Sequence, residues 1–244
     1  MQRKGKNKIE VCFSPALYPY YENTEAVVVI VDILRDSSAI CTAFMNGVRK
    51  IIPVETLEEA KTMKDKGYLV AAERDGIVRD FADFGNSPFN FTSERVKGKE
   101  IVYSTTNGTQ CIHLASSGKE VIIGSFLNIA ALADHIISQD RDVLILCAGW
   151  KNKFNLEDTF FAGALIEKIL INKSFYTICD SALASLDLWS IGKNDSLGYI
   201  EKAAQRHRLK KNKLDDVLEY CHTHDLTTII PALEKDYLVA LKST

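Results

Sequence analysis

The run Ala26-Val27-Val28-Val29-Ile30-Val31-Asp32-Ile33-Leu34-Arg35 decides the fold class. Its first six residues are apolar without a break and mostly β-branched, the pattern of a strand buried on both faces inside a largely parallel sheet. An acid and a cation follow at the carboxyl end of that strand. The spacing then turns helical: Ile40, Ala43, Phe44 and Gly47 share one face, with Asp36 or Ser37 placed to cap the start and Gly47 to end it. A strand at Ile51–Val54, a helix at Thr56–Lys66 closed by Gly67, and a strand at Tyr68–Ala72 come next.

A similar series recurs downstream. Glu100–Tyr103 reads as a strand, Thr106–Ser117 as a helix, Val121–Gly124 as a strand, Asn128–Ile137 as a helix and Val143–Ala148 as a strand. Setting Ile51 on Val121 also sets Cys41 on Cys111 and Ala60 on Ala130, which predicts two duplicated β-α-β-α-β units. The duplication would make the Asp32–Asp36 and Ser104–Asn107 turns equivalent. The remainder is helix-rich: Leu156–Leu170 with Asn155 as its cap, then segments near Ser181–Ser190, Ser196–His207 and Leu214–His222, with Lys210–Lys213 as a solvated basic turn. No low-complexity linker divides the chain. The expectation is a single α/β domain of three-layer type on a largely parallel or mixed sheet, with a helix-rich C-terminal part.

Bulk properties narrow the function classes. A 244-residue chain can bury a sizeable core, and 46% hydrophobic with 25% charged residues is ordinary for a globular protein. A formal charge of −2 leaves no electrostatic footprint for nucleic acid. Arg3, Lys4, Lys6 and Lys8 read as a solvated tail. No apolar run approaches the roughly 20 residues that span a bilayer, and the N-terminus lacks a signal-like stretch. Six scattered cysteines without a C-x-x-C pair point to reduced thiols. A cytoplasmic protein is expected, and the frequency of symmetric pairs among soluble enzymes suggests a homodimer.

In open α/β sheets ligands gather at the carboxyl ends of strands, and five polar clusters fall there. Asp32 and Arg35 suit a metal ion and an anion, since arginine's planar fork matches oxyanions; a structural ion pair across the turn is the alternative. Glu73 and Arg74, in Glu73-Arg74-Asp75-Gly76, repeat that combination. In Asp83-Phe84-Gly85-Asn86-Ser87-Pro88 the glycine and proline are turn residues, leaving Asp83 and Asn86 to reach a ligand. Ser104-Thr105-Thr106-Asn107-Gly108-Thr109 joins a strand to a helix. Thr105, Thr106 and Asn107 there either cap the helix or cradle an anion, and Gly108 permits close backbone approach. In Asn155-Leu156-Glu157-Asp158 the acids either cap a helix or bind a metal. There is no G-x-S-x-G, no Walker-type loop, no G-x-G-x-x-G and no H-E-x-x-H. Leu34 stands where a D-x-D signature needs its second acid.

Taken in order, these clusters resemble the 2-phosphosulfolactate phosphatase family. The resemblance runs through Val28–Arg35, Glu73-Arg74, Asp83–Pro88, Thr105–Thr109, Leu127-Asn128, Cys147–Gly149, Phe154–Asp158 and Ala162–Ala164. It implies an α/β fold, Mg²⁺ dependence and hydrolysis of a small anionic phosphorylated substrate. By family name that substrate is (2R)-phospho-3-sulfolactate, an intermediate toward coenzyme M. The expected metal ligands are Asp32, Glu73, Asp83 and Asp158, directly or through water. Asp32, Arg35, Glu73 and Arg74 form the expected catalytic set. Arg35, Arg74, Asn86 and the Thr105–Gly108 turn are the expected substrate contacts. Ala72, Asp36-Ser37-Ser38 and Phe81-Ala82 depart from the usual family pattern. A Mg²⁺-dependent lyase and a non-catalytic anion-binding protein are the competing readings.

Overall fold

A computed structural model describes residues 5–241. Arg3 and Lys4 lie outside the described residues; Lys6 pairs with Asp140, and Lys8 with Glu10 at 3.0 Å. The strands are β1 (Asn7–Cys12), β2 (Val27–Val31), β3 (Lys50–Pro53), β4 (Leu69–Arg74), β5 (Ile77–Val78), β6 (Glu100–Ser104), β7 (Glu120–Gly124), β8 (Val143–Cys147), β9 (Phe175–Tyr176), β10 (Pro231–Glu234) and β11 (Tyr237–Ala240). The helices are α1 (Asp36–Met45), α2 (Leu57–Asp65), α3 (Ser93–Val96), α4 (Gly108–Leu114), α5 (Ile129–Gln139), α6 (Leu156–Ile169), α7 (Asp180–Gly192), α8 (Ser196–Ile200), α9 (Ala204–Lys211) and α10 (Leu218–Cys221).

All eleven strands join one mixed sheet in the order β5-β4-β6-β3-β11-β10-β7-β2-β8-β1-β9. The two predicted β-α-β-α-β units are visible in it, but interleaved. The first strand of the upstream unit, β2, lies between β7 and β8 of the downstream unit, with Val29 opposite both Ile122 and Ile145. The first strand of the downstream unit, β6, lies between β3 and β4, with Ile101 opposite Ile51 and Leu69. Each half is therefore a parallel triplet whose middle strand comes from the other unit. The antiparallel hairpin β10–β11 fills the seam, β10 against β7 and β11 against β3.

Alternation along β2 divides the core. Val27, Val29 and Val31 face a cluster that includes Ile129, Leu132 and Ile136 of α5 and Phe160, Phe161 and Leu165 of α6. Val28 and Ile30 face Ile40, Ala43 and Phe44 of α1 with Cys111 and Ile112 of α4. The sheet is thus the middle of three layers. α1 and α4, the two helices that cross between halves, share one face. Full burial of each β2 side chain stabilises the fold by roughly 1.5–3 kcal/mol, and none of the five is more than 2% exposed.

Several local expectations shift. Thr56 does cap α2 in a reciprocal pair with Glu59, and Gly47 ends α1 with φ +86. No capping bond forms at the start of α1, however, because Asp36 turns inward. The Ser196–His207 segment is two helices, α8 and α9, and Leu214–His222 opens with a 3-10 turn. Lys210 belongs to α9 rather than to a free turn and pairs with Glu201 at 2.8 Å. The six cysteines carry no disulfide, and five of them are buried. No helix among the described residues is long and apolar enough to cross a membrane.

Candidate active site

The carboxyl ends of β2, β4, β6 and β8 open onto one narrow cleft. Its walls include Asp32, Arg35 and Asp36 after β2, Glu73 from β4, Thr106 and Asn107 after β6, Asn86, and Glu157 in the first turn of α6. Gln205 and Arg208 of α9 line it as well.

At the centre, Asp36 ties the two strand-end turns together. Its Oδ1 accepts from Asn86 Nδ2 at 2.5 Å and from the Tyr103 hydroxyl at 3.3 Å, and its Oδ2 accepts from the Thr105 hydroxyl. A Cβ on Gly108 would lie 2.4 Å from Asp36 Oδ2. The close approach that Gly108 allows is therefore to the protein's own carboxylate. Burial, with Glu73 nearby, pushes the Asp36 carboxyl up to about 6. Asn86 also accepts from Arg35 Nη2 at 2.7 Å, so Asp36 fixes Asn86 and Asn86 fixes the Arg35 guanidinium. Sequence reasoning read Asp36 as a cap; its contacts come from positions 50 to 69 residues away in the chain.

The acids differ sharply in what they touch. Asp32 is buried, and desolvation reinforced by Asp36 and Asp158 raises its carboxyl well above the usual range. Glu73 is occupied: Oε1 accepts from Thr106 N and its hydroxyl, and Oε2 accepts from Gly76 N. Glu157 Oε2 is buried with no hydrogen-bond partner. Burial first, then Asp158, raises the Glu157 carboxyl to about 8.

Several of the sequence-based assignments fall on residues that lie away from the cleft walls. Asp158 does not line the cleft: its carboxylate accepts from Ile33 N, Gly149 N and Asn155 Nδ2, which clamps the loops after β2 and β8, and burial lifts it to about 7. Its neighbour Glu157 is the acid that faces the cavity. Asp83 is also absent from the walls; it pairs with Lys64 at 2.6 Å and accepts from Val70 N at 2.8 Å. Arg74 and Thr105 border a separate groove with His113 and Gln110. The Arg74 guanidinium is spent on the carbonyls of Glu73 and Glu55 and on Ser104 Oγ. Asn107 lines the cleft and accepts from Lys151 N at 3.2 Å, without capping α4.

Arg208 went unread in the sequence. It stands in a basic run at 206–211 whose only visible signal is a solvated face. Its guanidinium lies over the Trp150 ring, 4.3 Å from the centroid, and Nε donates to Gln205 Oε1 at 2.6 Å.

A family model described as 2-phosphosulpholactate phosphatase matches residues 12–236. A Clostridium novyi protein named "Probable 2-phosphosulfolactate phosphatase" is 34% identical over 227 residues, 92% of this chain and 96% of its own length. Proteins of the same name from Caldanaerobacter subterraneus and Thermotoga maritima are 35% and 36% identical. They cover 86% and 84% of this chain and 88% of each relative.

Proposed function

The chain belongs to the 2-phosphosulpholactate phosphatase family, and on that premise we propose that its cleft hydrolyses (2R)-phospho-3-sulfolactate to 3-sulfolactate and inorganic phosphate with the aid of Mg²⁺. The enzyme is a phosphoric monoester hydrolase. The observation that carries the mechanism is the unpartnered, buried Glu157 Oε2 in a cleft that also holds Asp32 and Arg35.

Among the described residues no three His, Cys, Asp or Glu side chains converge as a ready cage for a metal ion. Mg²⁺ is usually held by one or two carboxylates and otherwise keeps water or substrate oxygens. Asp32 and Glu157 fit the role: hard oxygen donors whose charged forms burial disfavours, and which a cation would restore. When bound, Mg²⁺ polarises the phosphoryl group and lowers the pKa of an attacking water.

The chain's own groups do the rest. Arg35, aimed by Asn86, donates to the phosphoryl oxygens as charge shifts onto them. Asp36 cannot serve as a free base, because three donors already hold it; it is a positioning residue for Asn86 and Thr105. Water oxygen bonds to phosphorus, the ester P–O bond breaks, and the alcohol leaves with a proton. The test is phosphate release from a panel of phosphomonoesters with and without chelator. Release from (2R)-phospho-3-sulfolactate that stops with chelator is expected; release unaffected by chelation, or none from any ester, overturns the reading.

A further inference from the structure

Among the described residues two cations line the cleft, Arg35 and Arg208, with Lys151 beside it, and the three are not equivalent. Lys151, beside the cleft, is neutralised by Asp75 at 2.7 Å. Arg35 belongs to the β2 turn, next to Asp32, where the phosphoryl group must sit for the chemistry above. Arg208 stands on α9, far away in sequence, and enters the same cleft from another wall.

Its surroundings prepare it for a ligand. The stack on Trp150 fixes the plane of the guanidinium, and the bond to Gln205 fixes its rotation about Nε. Gln205 is itself pinned to the carbonyl of Leu34 at 2.8 Å, so α9 is registered against the turn that carries Arg35. Neither Nη of Arg208 hydrogen-bonds to a described residue, although desolvation already disfavours the charged form and only the Glu157 carboxylate offsets it. A half-buried, oriented guanidinium with both Nη groups unspent is a preset fork for an oxyanion.

We propose that the Arg208 fork binds the anionic group on the carbon chain of the substrate, the sulfonate or carboxylate, while Arg35 takes the phosphoryl group. Arg208 is then the residue that selects phosphate esters bearing a second anion. This rests on the cleft being a phosphatase site, so the test separates binding from turnover. Calorimetric titrations with Mg²⁺ present would use two probes, 3-sulfolactate and inorganic phosphate, on the wild type, Arg208→Gln and Arg208→Lys.

Arg208→Gln should weaken 3-sulfolactate by about tenfold or more, the scale of a lost charge-assisted bidentate pair, while phosphate affinity stays within about twofold. Arg208→Lys, which keeps the charge but not the fork, should fall between. Equal loss of both probes, loss of phosphate alone, unchanged 3-sulfolactate affinity or no 3-sulfolactate binding by the wild type each overturns the proposal. Absence of phosphate release by a wild type that still binds 3-sulfolactate through Arg208 would count against the phosphatase reading alone.

Discussion

In the half of the sheet built from β7, β2 and β8, the central strand runs out into Asp32, Arg35 and Asp36. In the half built from β3, β6 and β4, the equivalent strand runs out into Ser104, Thr105, Thr106 and Asn107. The backbone device is the same in both, a buried middle strand turning into a crossover helix. The chemistry is divided: one turn carries charge, the other carries hydroxyl and amide donors. Neither is complete alone. Asp36 is satisfied by Thr105 and Tyr103 from the opposite half, while Thr106 of that opposite half holds Glu73 of the neighbouring β4. Two similar β-α-β-α-β units can therefore build one polar site when their turns carry complementary groups.

The largest effect should come from cutting the charged turn at its metal-facing acid. Asp32→Asn is expected to lower kcat by about 10³-fold, whereas Thr105→Val, a change in the donor turn, should cost much less. Asp32→Asn should also raise the melting temperature of the metal-free protein, because it removes a carboxylate that is desolvated and pressed by Asp36 and Asp158. Comparable kinetic losses in the two variants would erase the proposed division of labour.

A pH series probes that turn together with the first turn of α6. Asp36, Asp158 and Glu157 have folded-state values of about 6, 7 and 8, all raised above their ordinary ones. The folded chain thus keeps protons that the unfolded chain releases near pH 4. Stability of the metal-free protein is full below that range and is lost progressively as pH rises toward 8. Melting scans from pH 5 to 8.5 should show this decline, and the rise in melting temperature on adding Mg²⁺ should grow across the same window. A metal-free melting temperature that climbs with pH would contradict the burial of these acids.

The contact between the turns can be wedged apart directly. Gly108→Ala places a methyl against the Asp36 carboxylate and should cost about 2 kcal/mol, in the range of overpacked cores. The reading is a lower urea midpoint at unchanged slope, and an unmoved midpoint would mean the turns do not touch. The smallest effect belongs to Asp83→Asn, which touches only the partly exposed Lys64 pair and one backbone N–H. It should shift stability by less than about 1 kcal/mol and leave phosphate release at the wild-type rate.

What the sequence made legible follows from which forces are local. Unbroken apolar runs marked β2 and β8 because burial on both faces leaves no room for polar residues. The 70-residue offset found two units with the same order of elements, because each keeps the same alternation of strand and helix. The interleaving was invisible, since pairing partners are chosen by tertiary packing. The β10–β11 hairpin was missed because its turn uses Lys235 at φ +58 in place of a glycine or asparagine. Asp32, Arg35, Glu73 and Asn86, all named from the sequence, line the same cleft. Glu157 and Asp158 are successive residues of one helical turn, about 100° apart around the axis, and no spacing rule says which faces a cleft. Arg208 lies among Arg206, His207, Lys210 and Lys211, so its inward aim depends wholly on where α9 docks.

The hairpin in the seam also bears on how the chain comes together during synthesis. β2 emerges early, with its two partners beginning only at Glu120 and Val143. Until they arrive, Val27–Val31 has both hydrogen-bonding edges open, the condition under which apolar strands find foreign partners. β6 is better served, since β3 and β4 precede it. The two triplets then stay unjoined until residues 231–240 insert between them. Assembly is thereby weighted toward late, long-range pairing, which slows folding and makes the nascent charged-turn half the part of the molecule most in need of a chaperone.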